Sequence, residues 1–226
     1  MIILVGGEKG GSGKSCIAQN LAIFLAVDKI ATVLLVDCDT QGTTADWIKL
    51  RNNNLNALPI DCVQLNGKIR NQLLGYNSQY QYVIVDCGSQ DMLALRSTLS
   101  SADLALLPMR PKRRDLKTLV HLDEMVQSCK MVNQQLEAHI VFTQCPTQPN
   151  QQARVNDAKA SASLFDIPIA SEILHERHIY DDSEESGLSV LESEPKGKAA
   201  DELRNLFTEI VKHDERSSPE LSMHYG

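Results

Sequence analysis

The first residues of the chain constrain its fold most, because an apolar run leads directly into a glycine-rich loop and then into an apolar-periodic segment. Residues 2–5 predict a buried strand and residues 17–26 predict a helix. Between them stand glycines at positions 6, 7, 10, 11 and 13. Glycines let the backbone turn tightly and aim several N–H groups at one anion, and the positive end of the helix dipole adds to the attraction. The order strand, loop, helix therefore predicts a phosphate-binding loop.

Two side chains of this loop suit a nucleoside triphosphate. Lys14 supplies a mobile positive charge for the β- and γ-phosphates, and the Ser15 hydroxyl is placed to ligate Mg²⁺. The common phosphate-loop pattern, G-x-x-x-x-G-K-[ST], requires a glycine where Glu8 stands, and the loop instead reads KGGSGKS over residues 9–15. A glycine-rich turn that binds nothing is the alternative, and seven constrained positions between a strand and a helix argue against it.

Length and charge narrow the class of protein. The 226 residues suffice for one domain with a substantial core, which we place at residues 1–213, and the polar residues 214–226 predict a flexible C-terminal tail. The net charge is −7, so the average field of the chain does not attract nucleic acid. Any DNA binding must therefore come from a local basic patch.

The cysteines and the apolar runs indicate a cellular compartment. Six scattered cysteines without a C-x-x-C pair predict reduced thiols, and their spacing argues against a zinc or iron–sulfur site. Met1 leads straight into the first strand without a signal peptide, and no apolar run approaches the roughly 20 residues of a membrane span. We therefore expect a cytoplasmic protein without a membrane-inserted segment.

Strand and helix patterns alternate along the remaining chain. Strands are predicted at residues 32–36, 60–65, 82–85, 104–107, 139–143 and 167–169. Helices are predicted at residues 43–51, 67–75, 112–131, 151–164 and 198–212. This alternation predicts an α/β fold, an open, mostly parallel sheet with helices on both faces. Such sheets bind ligands beyond the carboxyl ends of their strands.

Three aspartates stand at such strand ends. Asp86 ends an apolar run and is expected to hold Mg²⁺ directly or through water; capping the next helix is its alternative role. Asp37 and Asp39 close the second strand on one side of the extended chain, so one can face the metal and the other the γ-phosphate. A pair of Asx turns that ends the strand is the alternative.

The loop sequence KGGSGKS resembles the deviant Walker A motif, KGGxGK[ST], of the ParA/MinD family of ATPases. The resemblance extends over nearly the whole chain, through VDCDTQG at residues 36–42, the strand before Asp86, ADLALLPMRP at 102–111 and EPKGKAADELR at 194–204. It is greatest to the small plasmid-type ParA partition proteins. The resemblance implies a P-loop NTPase architecture with ATP and Mg²⁺ as cofactors.

The resemblance also implies roles for individual residues. Lys9 would reach across a nucleotide sandwich to the partner's phosphates, which implies an ATP-dependent homodimer; a solvated loop lysine is the alternative. Asp39 would orient the attacking water, and Asp37 would support the metal. The catalytic set is then Lys9, Lys14 and Asp39, and the metal set is Ser15, Asp37 and Asp86. Nucleotide contacts are expected from Gly10, Gly11, Ser12, Gly13, Lys14, Ser15, Cys16 and Pro111, with Asp115 near the same surface.

Two basic segments are candidates for DNA binding. The first consists of Arg110, Lys112, Arg113, Arg114 and Lys117, and Asp115 is the single acidic residue among them. This segment is compatible with a contact to DNA, a contact to a partner protein or a solvated start of a helix. The second, by analogy with the C-terminal basic surface of ParA proteins, consists of Lys196, Lys198 and Arg204. The acidic residues 181–185 predict a solvated face or loop. His175 and His178 are expected to be surface residues, and Trp47 a core or interface aromatic.

Three positions depart from the family pattern. Thr40 and the segment 87–89 replace prolines that are usual there, and these changes would alter the stiffness of the loops. Gln144 stands where an arginine is common, which affects the expected contacts with adenine or across the dimer. None of the departures falls within the phosphate loop.

The resulting prediction is a slow, Mg²⁺-dependent partition ATPase. ATP binding would drive sandwich dimerisation and nonspecific DNA binding on the nucleoid, and a small centromere-binding partner protein would stimulate hydrolysis, for plasmid segregation or cargo positioning. Alternatives are a MinD-like membrane-positioning ATPase, for which the end of the chain, SSPELSMHYG, lacks an amphipathic helix, and a nucleotide-gated scaffold with negligible hydrolysis. An iron–sulfur reductase subunit or a tyrosine kinase on the same fold lacks paired cysteines and a tyrosine-rich end, respectively.

Overall fold

A computed structural model describes residues 1–215 of the chain, and the side chains to residue 211. Its sheet is entirely parallel and consists of β1 (Ile2–Val5), β2 (Val33–Asp37), β3 (Asp61–Gln64), β4 (Tyr82–Asp86), β5 (Leu104–Met109) and β6 (Glu137–Phe142). The strand order is β3-β2-β4-β1-β5-β6. The predicted α/β fold with an open parallel sheet is confirmed. The central strand β1 lies where the order reverses, which is where such sheets bind ligands.

Helices cover both faces of this sheet. They are α1 (Lys14–Ile23), α2 (Thr43–Asn52), α3 (Arg70–Asn77), α4 (Met92–Leu99), α5 (Arg113–Leu116), α6 (Leu119–Lys130), α7 (Gln152–Ala162), α8 (Ile179–Glu185), α9 (Val190–Ser193) and α10 (Lys198–Glu215). A π-helical turn, Phe24–Asp28, extends α1. No helix within residues 1–215 is both long enough and apolar enough to cross a membrane.

Two cores form because successive side chains of a strand point to opposite faces. Ile2 and Leu4 of β1 join a core that includes buried residues of α3, α4, α6 and α7. Ile3 and Val5 join the other core, with α1, α9, α10 and Trp47. Since both faces are covered, the strands are apolar on both sides, which explains their uninterrupted apolar runs.

The predicted elements differ from the structure in several places. Residues 112–131 form two helices rather than one, because Thr118 turns back and donates from both its N–H and its hydroxyl to the carbonyl of Asp115. Residues 167–169 form no strand and make an isolated bridge between Ile169 and Ile140. The helices α4, α8 and α9 were absent from the sequence prediction. Of the predicted tail, 216–226 lie outside the described residues, and the last two described positions continue α10.

Local sequence explains where two of the three missed helices, α4 and α9, begin. The side chain of Asp91 accepts the N–H of Ala94 and caps α4. Ser189 and Glu192 form a capping box at the start of α9, in which each side chain meets the other residue's backbone N–H. These short helices follow loops without apolar periodicity, and the capping residues are the available signal for them.

Candidate functional site

The glycine loop joins β1 to α1 at the carboxyl edge of the sheet, between β4 and β5. Gly11 and Gly13 adopt left-handed backbone angles, with φ of 69° and 82°, which other residues adopt only with strain. Gly13 is the residue before α1, so the turn brings the N-terminus of that helix to the loop. The predicted strand, loop and helix are therefore present, although α1 begins three residues earlier than the apolar pattern indicated.

Lys14 is held inside this loop. Its side chain is almost buried, and its ammonium donates to the carbonyl of Lys9 at 2.7 Å. Burial lowers the pKa of Lys14, while the carboxylates of Asp86 and Asp39 act in the opposite direction. No carboxylate forms an ion pair with it within residues 1–211. Its charge is therefore free for a phosphate group.

Asp86 ends β4 directly beneath the loop and is fully buried. Its Oδ2 accepts the Thr44 hydroxyl at 2.7 Å, and its Oδ1 has no hydrogen-bond partner among the described residues. Burial raises the pKa of Asp86 to about 6. Hydrogen bonds from the hydroxyls of Thr44 and Ser15 act in the opposite direction and lower this pKa. A bound cation would favour the ionised carboxylate and would provide the orphan oxygen with a partner. Ser15 and Asp86 therefore fit Mg²⁺.

The composition of this set suits Mg²⁺ in particular. No group of three or more His, Cys, Asp and Glu side chains in the described part of the chain could enclose a metal ion. Mg²⁺ does not need such an enclosure, since it keeps several waters and is bound by one or two protein oxygens together with substrate phosphates.

Asp37 holds the neighbouring loop in shape. Its Oδ1 accepts the N–H of Asp39 at 2.9 Å, and its Oδ2 accepts the N–H of Ala45 at 2.8 Å. Burial raises the pKa of Asp37, while these two hydrogen bonds lower it. Asp37 thereby positions both Asp39 and the start of α2. Its predicted place in the metal shell stays a prediction.

Asp39 is half-buried at the mouth of the site, and its Oδ1 accepts a hydrogen bond from the N–H of Gln41 at 2.9 Å. A Cβ atom at Gly88 would overlap the carboxyl group of Asp39. The departure at Gly88 therefore makes room for this aspartate. The departure at Thr40 has its own contact, since the hydroxyl bonds to Oε1 of Gln90 at 3.2 Å and ties the two loops together.

A cavity of about 460 Å³ opens beside the loop. Residues of the glycine loop and Asp39 line one side, and residues 174–184 supply the opposite wall. Glu202 of α10 anchors this wall, because its carboxylate forms a hydrogen bond with Nδ1 of His175 at 2.9 Å and an ion pair with Arg177. His175 is therefore part of the cavity wall and not simply a surface residue.

Two polar atoms of the wall are buried without partners in the described chain, Nε of Arg177 and the hydroxyl of Tyr180. Burial raises the pKa of Tyr180, so its phenol stays protonated and can donate a hydrogen bond. The acidic stretch forms α8, and Asp181 and Glu184 line the cavity. Burial raises the pKa of the adjacent Cys16 to about 12, which keeps this thiol protonated. The sequence carried no pattern that identified the wall.

Residues after β6 support the loop from the side. The Thr143 hydroxyl donates to the carbonyl of Ser12 at 2.9 Å, and the Gln144 amide donates to that of Gly11 at 2.9 Å. Gln144 has a left-handed φ of 48° and lines the cavity. The third departure from the family pattern is therefore also in contact with the loop.

The segment after β5 contacts the loop through Arg110. Its guanidinium binds the buried Asp115 at 2.7 and 3.2 Å and the carbonyl of Gly10 at 3.4 Å. Pro111 is buried and does not line the cavity, so its predicted nucleotide contact stays a prediction. The side chain of Lys9 is half-buried and has no hydrogen bond or ion pair within the described residues.

Fold and site define a P-loop nucleotide-binding protein. The chain belongs to the CobQ/CobB/MinD/ParA nucleotide-binding domain family, whose profile matches residues 3–190. The predicted family is thus confirmed.

The chain is similar to individual members along most of its length. It is 27% identical over 212 residues, which are 92% of this chain and 95% of the relative, to the maintenance of carboxysome distribution protein A of Halothiobacillus neapolitanus. Its fold matches a putative plasmid partition protein of Borrelia burgdorferi bound to AMPPNP, at 18% identity and a TM-score of 0.72, over 94% of this chain and 98% of the other.

It also matches the MinD of Pyrococcus horikoshii complexed with Mg-ADP, at 16% identity and a TM-score of 0.71, over 96% and 98% of the two chains. The family and the fit of Ser15 and Asp86 to a cation agree with the predicted cofactors, ATP and Mg²⁺.

Proposed function

We propose that this protein is a Mg²⁺-dependent ATPase that dimerises around bound ATP and uses slow hydrolysis to position a cargo. The observation that carries the proposal is that Lys14, Ser15 and Asp39 line one cavity beside the glycine loop, with the buried carboxyl group of Asp86 close to both Lys14 and Ser15. Phosphoryl transfer needs charge neutralisation, a metal and a positioned water, and little covalent chemistry from the protein. These four side chains match those needs.

Each residue has a separate task in this reaction. Lys14 neutralises charge on the β- and γ-phosphates, and Ser15 and Asp86 hold the cation. Mg²⁺, when bound, stabilises the charge that develops on the transferring phosphoryl group. Asp39 orients the water, a role compatible with its position at the cavity mouth, and Asp37 keeps Asp39 in place through the hydrogen bond described above.

Lys9 supports the proposal of an ATP-dependent homodimer. Lys14 already occupies the phosphate side of the loop, and the side chain of Lys9 has no partner in the described chain although it is half-buried. A phosphate of a second subunit's nucleotide would provide that partner. Dimerisation is then a population shift, in which the γ-phosphate supplies contacts that only the dimer completes.

The relatives support positioning as the purpose. One relative is named for the distribution of carboxysomes, and one structural neighbour is a plasmid partition protein. We propose a cargo of this class, a plasmid or a large protein assembly, with nonspecific binding to nucleoid DNA through local basic patches. A small partner protein that recognises the cargo, a centromere-binding protein in the plasmid case, would stimulate hydrolysis and release the dimer.

The test measures phosphate release and mass by light scattering, each with and without Mg-ATP. We expect slow turnover and ATP-dependent dimers. Lys9→Ala should keep ATP binding and lose the dimers, and Lys130→Ala, which removes an equally half-buried lysine at the end of α6, should change neither. Intact Lys9→Ala dimers would remove the role of this lysine, and dimers without turnover would favour the nucleotide-gated scaffold.

A further inference from the structure

An exposed basic surface lies beside the glycine loop. Lys112, Arg113, Arg114 and Lys117 of the α5 segment are exposed, and α5 packs against α7, whose first turn carries the exposed Arg154. We call these five residues the α5 basic face. None of their side chains has a hydrogen bond or an ion pair within residues 1–211.

The cations of the α5 segment stay unpaired because Asp115, whose carboxylate is the only one within residues 110–117, points inward. Asp115 is 1% exposed, and Arg110 occupies both of its oxygens. Residues 110–117 carry a formal charge of +4 in a chain whose total is −7, so the remaining chain carries −11. A positive face on an acidic body orients the protein toward a polyanion and turns its other faces away.

The second basic segment lacks these properties. Arg204 forms an ion pair with Asp28 at 3.3 Å and donates to the carbonyl of Pro195 at 2.6 Å. Lys196 and Lys198 are exposed, with Glu194 and Asp201 close by in the sequence. Its charge is therefore partly neutralised.

The α5 basic face is also connected to the nucleotide site. Arg110 links the buried Asp115 at the base of α5 to the carbonyl of Gly10, and one of its nitrogens approaches Gly11. Arg110 therefore connects a ligand that docks on α5 to the phosphate loop, because the same side chain contacts both Asp115 and Gly10. The second basic segment has no contact of this kind with the loop among the hydrogen bonds of residues 1–211.

We propose that the α5 basic face docks the phosphate backbone of double-stranded DNA without sequence specificity. The proposal rests on the proposed function, in which the protein acts on nucleoid DNA, and it assigns that binding to these residues. Phosphate contacts need cations with freedom to adjust, and arginine in addition matches phosphate geometry with two parallel hydrogen bonds.

The experiment uses the full chain with Mg²⁺ and a nonhydrolysable ATP analogue. Binding to a fluorescent random-sequence duplex is measured by anisotropy over a series of salt concentrations. The test variant is Arg113→Gln with Arg114→Gln, and the matched control is Lys196→Gln with Lys198→Gln, which removes the same charge from the second segment. Nucleotide binding and phosphate release are measured on the same samples.

We expect the test variant to bind duplex about tenfold or more weakly and the slope of log affinity against log salt to fall by about 2 per subunit, because each lost phosphate contact lowers it by about 0.9. The control should stay within about twofold of the parent. Equal losses in both variants, or a loss in the control alone, would overturn the assignment.

Two other outcomes also contradict the inference. One is the absence of duplex binding by the parent at low salt while phosphate release persists, which leaves the proposed ATPase intact. The other is binding of polyglutamate that depends on Arg113 and Arg114 while duplex binding does not, which would identify an acidic protein partner. Failure of the parent to bind nucleotide would instead refute the proposed function.

Discussion

The two walls of the nucleotide cavity are built in different ways. The glycine loop wall comes from consecutive residues, and its shape depends on backbone angles at Gly11 and Gly13. The opposite wall, residues 174–184, depends on side chains from distant elements, since Glu202 of α10 holds both His175 and Arg177. One wall is local structure, and the other exists only after the chain has packed.

The opposite wall is also joined to the loop that carries Asp39. Arg51 of α2 is fully buried, lies over the Trp47 ring at 5.2 Å and forms two hydrogen bonds with Glu192 of α9, at 2.7 and 2.9 Å. The Trp47 indole donates to the carbonyl of Leu188 at 3.2 Å. Since α2 begins at Thr43, shortly after Asp39, and packs against α8, the loop that carries Asp39 is joined to the opposite wall.

This difference teaches which part of a nucleotide each wall recognises. We expect the glycine loop to bind the phosphates, and the opposite wall, which lines the same cavity, to contact the rest of the nucleotide. Inorganic tripolyphosphate is therefore a probe of the loop, and ATP is a probe of both walls.

The largest effect is expected from Lys14→Ala. Loss of a charge-assisted contact to the phosphates should weaken the binding of both ATP and tripolyphosphate about 100-fold. Calorimetry with the two ligands in the presence of Mg²⁺ measures this directly, with Lys130→Ala as the control. A loss for ATP alone would break the proposed division between the walls.

The second effect concerns α9, which packs against α8 of the opposite wall. Burial alone would raise the pKa of Glu192, but the hydrogen bonds from Arg51 and Ser189 outweigh it, so this pKa lies below its ordinary value of 4.5. Glu192→Gln should lower the free energy of unfolding at neutral pH by about 2 kcal/mol, because the charge of Arg51 then stays buried without its counterion.

The same variant has a defined pH dependence. A depressed carboxyl pKa stabilises the fold above the unfolded-state value and loses this contribution as pH falls through the folded-state value. The stability difference between parent and Glu192→Gln should thus be complete above about pH 5 and should narrow below 4.5. Urea unfolding at several pH values checks it; a difference that grows in acid would show that another group holds Arg51.

The smallest effect sharpens the comparison most. Glu202→Gln removes the charge that holds His175 and Arg177, and it should weaken ATP about fivefold through loss of wall order, while tripolyphosphate binding stays unchanged. Glu209→Gln is the control, since Glu209 lies on the same helix and accepts the N–H of Ser171 away from the cavity. Parallel losses for both ligands would mean that the wall also shapes the loop.

Features that depend on neighbouring residues were predictable from the sequence. The glycine loop, the buried strands and the aspartates at strand ends follow from backbone angles and from the periodicity of apolar residues, which act over a few positions. For this reason the parallel sheet was predicted correctly, and Lys14, Ser15, Asp39 and Asp86 lie in the loop and at the strand ends where the sequence placed them.

Features that depend on residues far apart in the chain were decided by the tertiary structure. The sequence of residues 110–117 did not predict that the side chain of Arg110 contacts Asp115 and the loop while Arg113 and Arg114 stay exposed. Nor did the sequence show that Gly88 leaves space for Asp39, or that Glu202 assembles a wall from His175 and Arg177. Contacts between residues 25 to 100 positions apart are set by packing of the whole core, and no local pattern encodes them.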